Sequence, residues 1–196
     1  MAMKTTIATA LAALACAVPA AAHPPQQAQK SQQPARAADP FPVVEALDPA
    51  RYAGTWHEIA RMPVKYQQKC VADVTATYAL RDDGNFTVIN RCRMADGKMN
   101  EARGVAKRAS KDGPAGKLKV RFAPSWLSFI GAVWGNYWIM ALAPDYSYVA
   151  IGEPDRKLLW ILSRTRAMDE ATLQGLLDRA RANGYDLTGL IRHQAP

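Results

Sequence analysis

Cysteine is scarce, with three residues among 196. That is too few for a disulfide-built scaffold, and the spacing matches no zinc ribbon. Histidine is equally scarce at three, and no set of side chains has metal-ligand spacing. No apolar run reaches the roughly 18–20 residues that a membrane-spanning helix requires. No Ser–His–Asp arrangement can be assembled, because strand alternation turns His57 outward and His193 lies in the tail. The only ready nucleophiles are the thiols of Cys70 and Cys92. Acidic residues are outnumbered, 17 against 25 Lys and Arg, giving a formal charge of +8. What is present is 49% hydrophobic and 21% charged. That is a globular composition, and its length suits one sizeable domain rather than two.

The first forty residues stand apart from the fold. Lys4 is the only charged side chain before His23, and an apolar stretch runs from Ile7 to Val18. Pro19 and Ala20-Ala21-Ala22 follow, so residues 1–22 read as a secretory signal peptide cleaved after Ala22. Leu14-Ala15-Cys16 also resembles the end of a lipoprotein signal, which makes Cys16 a candidate lipidation site. Ala13 stands where a large aliphatic residue is usual, so simple cleavage is favoured over lipidation. Residues 23–40 are Gln-rich, with four prolines and no large apolar side chain. Such a stretch cannot balance ordering entropy by burial and reads as a flexible linker. Export into an oxidising compartment leaves the pair Cys70 and Cys92, for which a disulfide is the natural expectation. A hairpin turning at Asp83-Gly84 would set Cys92 opposite Thr75 or Ala76 rather than Cys70. The bridge therefore requires a bend or bulge at the start of that strand.

From residue 41 onward strand signals dominate. Eight are read: Thr55 to Met62, Val71 to Leu80, Phe86 to Arg93, Glu101 to Lys107, Lys117 to Phe122, Tyr137 to Ala143, Tyr146 to Ile151 and Leu158 to Arg164. Turn-like residues such as Asp82-Asp83-Gly84 and Gly113-Pro114 separate them. One amphipathic helix follows. Asp169 is its N-cap, Leu173, Leu176, Leu177 and Ala180 form its apolar face, and Gly184 ends it. Eight hairpin-linked strands and then a helix predict an all-β fold, an eight-stranded up-and-down antiparallel barrel with the C-terminal helix packed outside.

Three segments resemble the lipocalin family. Gly54-Thr55-Trp56 matches the Gly-x-Trp motif of the first strand. Ala143-Pro144-Asp145-Tyr146 is similar to the second motif, without its threonine. Leu159 to Arg164 matches the third, which ends in an arginine. They stand in family order, and segments such as Gly152-Glu153-Pro154-Asp155-Arg156 resemble bacterial outer-membrane lipocalins and the apolipoprotein D-like group. The resemblance covers about residues 43–194, so 41–196 is read as the lipocalin domain. It implies that Trp56 closes the barrel floor and that Arg164 lies across it, a structural pair.

Strand alternation sorts the walls. Glu58 and Ala60 share the face of Trp56. Tyr78, Val88, Asn90, Phe122, Trp138, Met140, Leu142, Tyr148, Trp160 and Leu162 complete the expected inward set. Small residues among them, including Ala76, Gly104, Ala106 and Ala150, leave room, which favours a ligand cavity over a packed core. The connection from Ala123 to Trp134, which contains Phe129 and also Trp126, counted among the expected cavity residues, is unusually apolar for a loop. It reads as a lid, as an apolar patch for a membrane or partner, or as a loop tucked on its own strands.

The resemblance implies a non-enzymatic carrier of a hydrophobic ligand, a fatty acid or lysophospholipid, stored or transported in the bacterial envelope. No cofactor is implied. Glu58, Asn90 and Lys65 are the polar groups available to orient a head group. A haem or other tetrapyrrole carrier and a lipocalin-type isomerase are the alternatives. The basic residues from Lys107 to Arg121 alternate with apolar ones and carry no stacking platform, which argues against nucleic acid. Attraction to an anionic membrane surface suits them better. The expected location is the periplasm or the periplasmic face of the outer membrane, with pairing into a homodimer left open.

Overall fold

The computed structural model describes residues 41–193, together with Met1. Cys16, the rest of the leader and the linker lie outside the described residues. The strands run β1 (Gly54–Arg61), β2 (Cys70–Leu80), β3 (Phe86–Met94), β4 (Met99–Arg108), β5 (Lys117–Arg121), β6 (Gly135–Leu142), β7 (Tyr148–Gly152) and β8 (Leu159–Ser163). Each pairs antiparallel with the next, and β1 pairs with both β8 and β2, which closes the barrel. The expected eight-stranded barrel is therefore present. Closure leaves no long unpaired edge.

Two short elements were not legible. α1 (Pro49–Tyr52) opens the domain, with the Asp48 carboxylate accepting from the amides of Ala50 and Arg51. β9 (Ile191–Arg192) pairs with Ala60 and Arg61 of β1. It lies beyond His57, where the β1–β2 pairing ends.

The helix α2 (Glu170–Ala182) is capped as expected, with Thr172 N–H donating to the Asp169 carboxylate at 2.9 Å. Its buried residues Leu173, Leu176 and Leu177 pack on Ile59, Ala60, Ala141, Ala150 and Ile161. Those five come from the outer faces of β1, β6, β7 and β8. A second apolar cluster fills the lower barrel, built on Tyr52, Trp56, Tyr78, Phe86, Val149 and Leu162. The strands beneath α2 are thus buried on both faces.

Bulges break the strict alternation in β1, β6 and β2. Glu58 pairs with Leu162 but Ala60 pairs with Ile161, so one extra residue enters β1. Ile59 and Ala60 then both face the helix. Arg61 turns back beside Glu58 as a buried ion pair, its Nε 3.0 Å from a carboxylate oxygen. β6 carries the same device between Ile139 and Ala141.

The predicted disulfide between Cys70 and Cys92 is present, with Cα atoms 5.5 Å apart. The bulge that it requires is also present. Ala76 pairs with Asn90 and Thr75 with Arg91, yet Ala72 pairs with Arg93 and Cys70 with Met94. Two one-residue slips therefore draw Cys70 toward Cys92. Asp73 sits in the slipped segment with φ of +49°, a left-handed conformation that aspartate tolerates. Its carboxylate accepts from Arg93 and Arg166 at 2.8 and 2.9 Å, and these guanidiniums hold its carboxyl below the usual range.

Candidate functional site

The floor of the barrel is built first by Trp56 and Arg164. The Arg164 guanidinium lies over the indole at 3.7 Å from the ring centre. It donates to the carbonyls of Arg51, Ala53, Thr55 and Tyr146, at 2.6, 2.9, 3.1 and 3.3 Å. Gly54 has φ of +101°, and a Cβ there would meet Arg164 Nη1 at 3.1 Å. Glycine is thus required both for the backbone angle and for the passage of the arginine. The expected floor pair is present.

Above the floor lies a cavity of about 590 Å³, within the range of small-ligand sites. Tyr78, Tyr137, Val88 and Leu162 line its lower part. Ala76, Asn90, Ala102 and Trp160 line the wall above, and the Cys70–Cys92 bridge, Phe122, Val133 and Glu153 line it at the strand ends. The walls are mainly apolar. One polar strip interrupts them: Trp160 Nε1 donates to Gln67 Oε1 at 3.1 Å, and Gln67 Nε2 donates to Glu58 at 2.9 Å. His193 Nε2 also lies 3.1 Å from Glu58. The Glu58 charge is therefore held by Arg61, Gln67 and His193, and the carboxylate is not a free head-group ligand. Asn90 Oδ1 is buried with no hydrogen-bond partner. At the rim, partial burial and the neighbouring Asp155 carboxyl push the Glu153 pKa up to about 7.

Of the residues expected to line the cavity, Glu58, Tyr78, Val88, Asn90, Phe122, Trp160 and Leu162 do so. Six others do not. Ala60 faces α2 because of the β1 bulge. Trp138 is turned outward, edge-on to Phe41 at 5.5 Å and beneath the Lys117 ammonium at 4.5 Å. Met140 packs outside against Ala180 and Tyr185. Tyr148 packs in the helix-facing cluster. Leu142 returns to the inner cluster after the β6 bulge but lies below the cavity. Trp126 is 71% exposed on the apolar connection and lines nothing. That connection is not closed over the mouth. Trp134 anchors it, with Lys107 and Arg121 stacked on the indole, while Trp126 and Phe129 stand in solvent beside the rim.

Tyr137, Gln67 and His193 were missed. Tyr137 pairs directly with Leu118, and opposite residues of an antiparallel pair share a face. The Lys117–Leu118–Lys119 alternation marks Leu118 as inward, so it also marks Tyr137 once the register is known. The long connection before β6 conceals that register. Gln67, on a short turn, and His193, beyond β9, carry no periodic signal.

With this geometry in place, comparison with known proteins gives a single answer. A family model for the lipocalin-like domain matches residues 47–195. The chain belongs to the lipocalin family. It is 41% identical over 155 residues to temperature-induced lipocalin-1 of Arabidopsis thaliana, covering 79% of this chain and 81% of that protein. It is 37% identical over 158 residues to the outer membrane lipoprotein Blc of Escherichia coli strain K12, covering 79% and 82%. Mouse apolipoprotein D is 32% identical over 155 residues, covering 74% and 76%. Among solved structures, insecticyanin from the tobacco hornworm Manduca sexta aligns with a TM-score of 0.59 at 22% identity. That alignment covers 80% of this chain and 85% of that one. Lipocalins bind hydrophobic ligands, and this lipocalin has a cavity of the size and polarity such a ligand needs.

Proposed function

We propose that this lipocalin is a non-enzymatic carrier of a single-chain lipid, a fatty acid or lysophospholipid, in a bacterial envelope. The observation that carries the reading is the 590 Å³ cavity with mainly apolar walls and a mouth rimmed by Phe122 and Val133. An acyl chain gains roughly 0.8 kcal/mol per buried methylene there, while its charged head stays at the mouth near water. Exposed Lys65 and Lys69 flank that region and suit an anionic head group. The similarity to an outer membrane lipoprotein and the signal-like residues 1–22 support export. Cys16 is the residue that would carry a lipid anchor.

Trp160 lines the cavity, so its fluorescence reports occupancy. Titration with hexadecanoic acid and with a lysophospholipid of the same chain length is expected to saturate at one lipid per protein. Ala76→Trp, which fills the middle of the cavity, is expected to weaken binding at least about tenfold, a loss of roughly 1.4 kcal/mol. A signal that never saturates, or equal affinity in the filled variant, overturns the carrier reading.

A further inference from the structure

The bottom of the cavity holds a polar feature that an all-hydrocarbon chain end would leave unused. Tyr52 of α1, Tyr78 of β2 and Tyr137 of β6 bring their hydroxyls together. Tyr78 donates to the Tyr137 oxygen at 2.9 Å, and the Tyr52 and Tyr137 oxygens lie 2.5 Å apart. Tyr78 and Tyr137 line the cavity, and Tyr52 does not. Three phenols carry three protons, and two oxygen–oxygen contacts take up two of them. One proton is surplus.

That proton does not leave by ionisation. Burial pushes the Tyr78 phenol up to about 12 and raises Tyr52 and Tyr137 well above the ordinary value. The surplus donor therefore sits on Tyr52 or on Tyr137. On Tyr52 it would be enclosed among the rings of Trp56, Tyr78 and Phe86, whose centres lie 5.2 to 6.1 Å away. On Tyr137 it can point into the cavity. A buried donor without an acceptor is costly, so the stable arrangement has Tyr78 and Tyr52 both donating to Tyr137, and Tyr137 donating upward.

The nearest cation cannot turn this into an anion site. The Arg164 N–H groups end on the backbone carbonyls of the floor. A carboxylate driven to this depth would be desolvated with no partner, whereas a neutral oxygen would receive one hydrogen bond.

We propose that the cavity floor is a receptor for one neutral oxygen acceptor. The ligand is a single-chain amphiphile whose inserted end bears a hydroxyl or carbonyl oxygen that accepts from Tyr137, with its charged head at the mouth. This rests on the carrier reading and specifies its substrate class.

The test compares hexadecanoic acid with 15-oxohexadecanoic acid, which differs by a ketone beside the terminal methyl. The quantity read is the ratio of their dissociation constants. The double variant Tyr78→Phe/Tyr137→Phe removes both cavity hydroxyls. It should shift the ratio against the ketone by about threefold to tenfold. An unchanged ratio in the double variant overturns the oxygen receptor and leaves the carrier reading standing. Binding of neither acid to the wild type overturns both. Circular dichroism checks that the double variant folds. A measurement on the wild type alone serves where it does not. The ketone stretch of the bound acid should fall below its value in alkane, and a value equal to that in alkane overturns the proposal.

Discussion

Arg164 shows how one side chain ties the floor together. Its guanidinium stacks on Trp56 and reaches carbonyls contributed by α1, by the start of β1 and by the turn before β7. No carboxylate takes part, so the contact does not depend on acid titration. Arg164→Met would remove the donors and leave several carbonyls without partners. A loss of about 2–3 kcal/mol is expected in urea denaturation. Arg164→Lys is expected to recover little of it, because one ammonium cannot span the same carbonyls. A stability equal to wild type in Arg164→Met would remove this residue from the floor's structural account. The arginine and its tryptophan were legible from short motifs alone. Tyr137 and His193 were not, because their roles depend on a cross-strand register and on β9 folding back along β1.

At the scale of elements, β2 is the informative strand. Its slipped start, with Asp73 in a left-handed conformation, brings Cys70 to Cys92 across a sequence separation of 22. Both cysteines line the cavity, so the bridge stabilises the fold and shapes the wall. Closing a loop of this size is worth roughly 3 kcal/mol. Cys92→Ser is expected to lower the urea midpoint accordingly, and a midpoint equal to that of the oxidised wild type would show the bridge to be dispensable. The existence of all eight strands could be read from alternation and turns. Their facing could be read only where one side meets water. β5, with Lys117 and Lys119 against Leu118 and Val120, was assigned correctly. β7 was not, since Tyr148 and Ala150 face α2 while Val149 and Ile151 face the barrel. Both sets are apolar, so period-two reading has nothing to discriminate.

For the whole molecule, the charge of +8 and the exposed apolar residues beside the mouth act together. Trp126 and Phe129 are 71% and 82% exposed, and Tyr66 and Phe122 extend the same character around the opening. Exposed apolar patches of this kind mark interaction surfaces, and an anionic bilayer would satisfy both features. Binding to vesicles containing anionic lipid is expected to weaken as salt rises. Trp126→Ser/Phe129→Ser should lower it at every salt concentration. Binding that is indifferent to salt would remove the electrostatic part of this account.

Local information sufficed for what depends on local chemistry. Turn residues and alternation determined the strand count, the Asp169 cap and apolar stripe determined the helix, and three motifs determined the family and its floor. The tertiary structure alone decided which side chains see the cavity. A single inserted residue in β1 and another in β6 reverse the facing of everything beyond them. A helix that buries the outer wall erases the polar signal by which inside and outside are told apart. The surplus phenol proton belongs to the same class of fact, because it exists only once three tyrosines from distant parts of the chain meet at one point.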